Sequence, residues 1–130
     1  MISNNELFEQ AKALSNEKQL TAEAVLGYVG AALLTETGTV FTGMSFSGAC
    51  GIGYCGETGA ILEMLKNGES KIKKIVAVSN DHKCMPPCGR CREMMYQADR
   101  ENLNTEIILG NDTVITLKEL LPERWQELWE

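Results

Sequence analysis

At 130 residues, 44% of them hydrophobic, the chain suits one domain with a single core and is too apolar for a disordered tail. Its formal net charge of −6, with one short basic cluster, Lys71-Ile72-Lys73-Lys74, read as a solvated sheet edge, argues against a nucleic-acid surface, where Lys and Arg must meet phosphates, and leaves a small, weakly charged partner. Apolar stretches are interrupted by glycine or charge well short of a membrane span.

Leu7, Phe8, Ala11 and Leu14 recur at helical spacing and predict an amphipathic helix over residues 4–18. Tyr28 to Leu34 is an apolar run of small residues, closed by Thr35-Glu36-Thr37-Gly38. Thr39-Val40-Phe41-Thr42 resumes as a strand, and the Gly38 turn between the two predicts an antiparallel hairpin. Gly43 to Gly53 fits neither period and is read as an irregular active-site loop leading into Cys55. Ile61, Leu62, Met64 and Leu65 mark a buried helix over residues 56–66, ending near Asn67-Gly68. Ile72 to Ser79 is a strand and Asp81 to Pro87 a loop. Cys88 opens a helix running to about Arg100, with Met94, Met95 and Ala98 on its apolar side. Glu106 to Leu109 and Thr113 to Thr116 are strands around a Gly110-Asn111-Asp112 turn. Leu117 to Glu130 is read as helical, broken at Pro122. The order α, β-β, α, β, α, β-β, α predicts an α/β fold with helices packed on a mixed sheet, one domain over residues 1–130.

The chemistry is concentrated in Cys55-Gly56-Glu57 and Pro87-Cys88-Gly89-Arg90-Cys91. The opening Met1-Ile2-Ser3-Asn4-Asn5-Glu6 lacks the features of a secretory signal, and an odd set of five cysteines is no disulfide framework. A cytoplasmic, reducing location with metal-binding thiols is expected. Cys55, Cys88 and Cys91 make three ligands for a tetrahedral Zn²⁺ and leave one position open for water, as catalytic sites do. Both half-motifs begin helices, whose unpaired amides favour thiolates, and Cys88 and Cys91 project the same way from one turn. Three thiolates exceed the charge of Zn²⁺ by one, so Arg90 and Arg92 are candidate donors to the sulfurs. Glu57 is placed to move the protons of the water. A closed structural zinc site completed by Cys84 or His82, and a pair of plain buried thiols, are the duller readings. Cys50 and Cys84 otherwise read as packing residues. One histidine and no Gly-x-Ser-x-Gly leave a serine-hydrolase triad little support, and the glycines from 43 to 53 match no phosphate-cradling loop.

The paired motif resembles the zinc-dependent cytidine deaminase superfamily, and within it the small tetrameric cytidine deaminases and blasticidin-S deaminases. Val29 to Leu34 is similar to the family's first-strand segment, Phe41-Thr42-Gly43 to the end of its second strand, and Glu119-Leu120-Leu121-Pro122 with Trp125 to its C-terminal segment. The resemblance implies a three-layer α-β-α sandwich around a five-stranded mixed sheet. It implies hydrolytic deamination of a free cytosine nucleoside, cytidine or deoxycytidine to the uracil form plus ammonia, with Cys55, Cys88 and Cys91 on zinc and Glu57 as proton shuttle. Gly56 and the Cys88 neighbourhood would contact the ring through their backbone. Trp125 would close over a neighbouring subunit's substrate in a homotetramer. Ser45 and Ser47 stand where the family binds ribose with Asn and Glu, Gly27 replaces an aromatic, and Thr58 replaces an Arg. These departures imply a weaker sugar grip and a divergent pocket, open to a modified nucleoside or blasticidin-like substrate. The contrasting class is a non-catalytic binding module stabilised by zinc; the intact Glu57 weighs against it. Editing of nucleic-acid cytosines is opposed by the acidic balance.

Overall fold

In the computed structural model, which describes residues 1–110 and 112–130, helix α1 (Asn4–Ala13) starts at a capping box. Ser3 Oγ accepts the Glu6 N–H and the Glu6 carboxylate accepts the Ser3 N–H. The helix stops short of residue 18 because Lys18–Gln19 leaves it as a short strand, β1, paired with β2 (Val25–Thr35). β2 and β3 (Val40–Ser47) form the expected antiparallel hairpin, turning where Gly38 takes a φ of +91°. The irregular loop expected from Gly43 to Gly53 is overturned over most of its length. Gly43–Ser47 continues β3, and β4 (Gly53–Tyr54) folds back onto it, since pairing with β2 imposes an extended backbone that the glycine-rich sequence does not advertise.

α2 (Gly56–Lys66) lies where the sequence places it, yet Leu62 and Leu65 are on its outer side. A helix buries one stripe only, and here that stripe is Ala60, Ile61 and Met64. β5 (Ile72–Ser79) follows, and β6 (Cys84–Met85) pairs back onto it within the predicted loop. α3 (Gly89–Ala98) gives way to a 3₁₀ turn, Arg100–Asn104, instead of reaching Arg100 as one helix. β7 (Glu106–Gly110) and β8 (Thr113–Thr116) are antiparallel. Of the turn expected between them, Gly110 and Asp112 have positive φ, and Asn111 lies outside the described residues. α4 (Leu117–Leu120) is a single turn, and the helix expected to continue to Glu130 is a 3₁₀ turn, Trp125–Trp129. Pro122 lacks the N–H that a longer helix would need.

The sheet runs β4-β3-β2-β5-β7-β8, with β1 beside β2 and β6 beside β5. β5 and β7 are parallel, joined through α3, and the other pairs are antiparallel, so the sheet is mixed as expected. Among the described residues five strands have four or more residues; three two-residue strands bring the total to eight, correcting the expected five. Side chains alternate across it. Leu33, Ile75 and Ile107 pack with Ile61, Met64 and Met95 of α2 and α3, while Ala32, Val76 and Ile108 pack with Leu7 and Ala11 of α1. The three expected layers follow. No helix among the described residues is long and apolar enough to cross a membrane.

The first turn of α2 rests directly on β3. A Cβ built on Gly43 would lie 2.5 Å from the Gly56 carbonyl oxygen and 2.6 Å from the Ala60 nitrogen. Both neighbours are helix backbone and have no rotamer by which to yield. Gly43→Ala should therefore push α2 off the sheet and cost about 2–3 kcal/mol, read as a lower urea midpoint with unchanged slope.

Candidate active site

Cys55 is the N-cap of α2 and Cys88 the N-cap of α3, both with extended backbone, and Cys91 lies one turn into α3. Two helix starts face each other across the gap between α2 and α3. The three Sγ atoms lie within 4.8 Å of one another, Cys55 and Cys88 at 3.4 Å. Sulfurs bound tetrahedrally to one zinc sit about 3.8 Å apart, given a Zn–S bond of ~2.3 Å. Three thiols already gathered near that spacing fit the ion with little movement. Neither candidate for a fourth, closing ligand joins them. The Cys84 sulfur packs towards the α1 layer, near Gly110, and His82 Nε2 meets Asn16 Oδ1 at 3.2 Å.

The three thiols differ in environment. Burial pushes Cys91 well up, and the Glu57 charge and the other two sulfurs add to it. Burial and the Cys88 sulfur raise Cys55. Burial opposes ionisation of Cys88 too, but the Cys91 amide, the neighbouring thiols and the Arg90 amide outweigh it and hold this thiol below its ordinary value. A divalent cation reverses the penalty on all three.

Glu57, in the first turn of α2, is 4% exposed, and burial pushes its carboxyl up. It opens onto a cavity of about 310 Å³ shared with Cys55, Cys88, Tyr28, Tyr54, Ser45 and Ser47. A larger cavity of about 540 Å³, between α1 and the β7–β8 hairpin, holds neither Glu57 nor any of the three sulfurs, so the chemistry belongs to the smaller one.

The other sequence candidates are placed unevenly. Gly56 is buried against β2, where an added Cβ would stand 2.9 Å from the Val29 carbonyl oxygen. Ser45 lines the cavity, but its Oγ accepts the Val29 N–H at 3.0 Å. The Arg90 guanidinium lies over the Tyr54 ring, 5.4 Å from its centre. Arg92 donates to the carbonyls of Pro87 and Leu120, at 2.8 and 3.1 Å, tying the segment before Cys88 to the end of α4. Trp125 is exposed and lies outside the residues lining the cavity with Glu57.

Sequence reasoning passed over Tyr54 and Val29 as wall residues. Tyr54 directly precedes Cys55 and was findable on that ground; Val29 depends on an irregularity of β2 that leaves no local mark. It also read Thr58 only as a lost Arg. The Thr58 hydroxyl lies 4.0 Å from Cys91 Sγ, both groups buried, and replaces a charge by a dipole beside the sulfur. Thr58→Val, equal in shape, should loosen zinc by about tenfold in a chelator competition while leaving the fold intact.

Residues 1–106 match the sequence profile of the cytidine and deoxycytidylate deaminase zinc-binding region. The chain is 35% identical over 99 residues to a cytidine deaminase of Halalkalibacterium halodurans, covering 72% of this chain and 74% of the relative. It is 27% identical over 107 residues to a blasticidin-S deaminase of Bacillus cereus, covering 75% and 76%. Among solved structures, it superposes on a cytidine deaminase from Burkholderia pseudomallei with a TM-score of 0.76 at 28% identity, covering 95% of this chain and 100% of the other.

Proposed function

The chain belongs to the cytidine and deoxycytidylate deaminase zinc-binding family, a zinc-dependent deaminase by descent, and from that premise we propose that it converts a free cytosine nucleoside, cytidine or deoxycytidine, and water to the uracil nucleoside and ammonia. The observation that carries this reading is one cavity lined by a buried carboxyl, Glu57, and by Cys55 and Cys88, two members of a three-sulfur cluster whose third, Cys91, is buried behind them. Cys55, Cys88 and Cys91 would hold the zinc, which supplies a Lewis acid that makes water a nucleophile near neutral pH.

The protein's own groups do the rest. The Glu57 carboxylate takes one proton from the attacking water and delivers it to the ring nitrogen next to the amine-bearing carbon; it then takes the second proton from the added hydroxyl and gives it to the departing amine, so that the C–N bond breaks as the carbonyl forms. Its burial supports that role, since a carboxyl raised towards neutrality both accepts and gives up protons readily. The Tyr28–Val29 wall and Ser47 bound the space beside it; Cys88 lines the same cavity and its backbone would contact the ring, whereas Gly56 lies outside the lining residues, against Val29. Arg92 steadies the segment leading to Cys88, and Arg90 stacks on Tyr54, the residue before Cys55. The cavity suits a nucleoside, and the charge of −6 favours a free one over a polynucleotide. A homotetramer in the cytoplasm completes the reading. Exposed Trp125 supports it, being free to reach a neighbouring subunit's cavity. A blasticidin-like nucleoside is the second reading, supported by the Bacillus cereus relative and by a Ser45 hydroxyl already engaged by Val29.

Incubation with cytidine, deoxycytidine, cytosine nucleotides and blasticidin S, following ammonia and the loss of cytosine absorbance with zinc assayed in the same sample, tests this. Turnover of one of the first two is expected. Zinc-loaded protein that deaminates none of them overturns it.

A further inference from the structure

β2 slips its register against β3. Leu26 faces Phe46 and Gly30 faces Met44, so Gly27, Tyr28 and Val29 all stand opposite the single residue Ser45. Such a bulge frees backbone groups from the ladder and turns side chains to new directions. Here the freed group is the Val29 N–H, and it donates to Ser45 Oγ at 3.0 Å. Ser45 is 7% exposed, so water is a poor substitute.

The bulge is pinned on both sides. A Cβ on Gly27, whose φ is +83°, would fall 2.2 Å from the Asn16 carbonyl oxygen, and one on Gly30 would fall 2.1 Å from that of Ala11. The strand cannot relax towards α1 or the chain that follows it. On the other side the Val29 carbonyl abuts Gly56, between Cys55 and Glu57, and Tyr28 and Val29 form a wall of the cavity. One hydroxyl, on a residue that itself lines the cavity, thus braces the Tyr28–Val29 wall and, through it, the start of α2 that carries Glu57.

We propose that Ser45 is a positioning residue: it closes the β2 bulge on the Val29 amide and thereby sets the Tyr28–Val29 wall against Glu57, and does not itself bind the sugar. The kinetic arm of this inference rests on the deaminase reading. Wild type and Ser45→Ala are compared on cytidine and on 2′,3′-dideoxycytidine, which lacks the sugar hydroxyls a serine would hold. With the Ser45 hydroxyl committed to the Val29 amide, kcat/KM falls by the same factor, roughly tenfold, on both substrates. The loss enters mainly through KM, zinc content is unchanged, and Ser45→Thr, which keeps the Oγ, recovers most of it. A loss confined to cytidine assigns Ser45 to the sugar and overturns the proposal.

Amide hydrogen exchange gives a readout independent of turnover. The Val29 amide is expected to be protected in the wild type and to exchange faster in Ser45→Ala. An unprotected Val29 amide in the wild type overturns the proposal even where the Ala variant does not fold, as does protection unchanged by the substitution. If neither nucleoside reacts with wild type, the deaminase reading fails while the exchange data still decide the role of Ser45.

Discussion

Glu57→Gln is expected to keep its zinc and lose about 10³-fold in kcat, a typical share for a residue handling protons in more than one step. Gln matches Glu in shape and fills the same buried space in the first turn of α2, so the contact of Gly56 with Val29 and the gathering of the three sulfurs should persist. What disappears is a group able to take a proton and return it. Stability should move the other way. Burial raises the Glu57 carboxyl in the folded chain, so the unfolded chain ionises more easily and the metal-free fold is penalised as pH rises through and above the ordinary carboxylate range. Gln removes a charge from that site, and the metal-free variant should melt no lower than metal-free wild type at pH 7. The measurements are zinc content, single-turnover rate and thermal midpoint on the same preparations. A variant with full zinc and undiminished turnover would remove Glu57 from the mechanism.

The division between what could and could not be read in the sequence follows the range of the interactions. Cys55-Gly56-Glu57 and Cys88 to Cys91 were legible because each pair of groups is fixed by a single helical turn, and a helix start is a local event. α2 and β5 were legible for the same reason, their bounds being set by apolar periodicity and by glycine or a polar loop at the ends. Gly43 to Ser47 was misread because its strand state is imposed by β2, whose partners run from Ala31 for Gly43 to Val25 for Ser47 and become adjacent only once the hairpin closes. Leu62 and Leu65 were placed inside because apolar identity gives the stripe but not its edges. Ser45 shows the limit most clearly. Its position relative to a family pattern suggested the sugar, and the hydrogen bond that occupies it depends on a bulge three residues wide in another strand.

Removing a single sulfur should undo the centre altogether. Cys91→Ala is expected to fall from about one zinc per chain to less than a tenth, and to lose turnover below detection, because two thiolates and open water hold the ion far less tightly than three thiolates. Cys91 is fully buried, and its neighbours Cys55 and Cys88 cap two different helices, so an ion held by all three would tie α2 to α3 on this side of the sheet. Its loss should also lower the thermal midpoint, by an amount that chelation of wild type reproduces, since a ligand that binds only the folded chain stabilises it by mass action. pH should act in a definite sense. Without metal, burial holds the Cys91 and Cys55 thiols protonated, so zinc uptake expels protons and its apparent affinity climbs with pH, by about tenfold per unit for each proton displaced. Chelator competition between pH 6 and 8 reads the slope, and calorimetry in buffers of different ionisation enthalpy counts the protons. Stoichiometric zinc in Cys91→Ala, or an affinity flat across that range, would place the metal on other groups and leave Glu57 without the partner its burial beside these sulfurs implies.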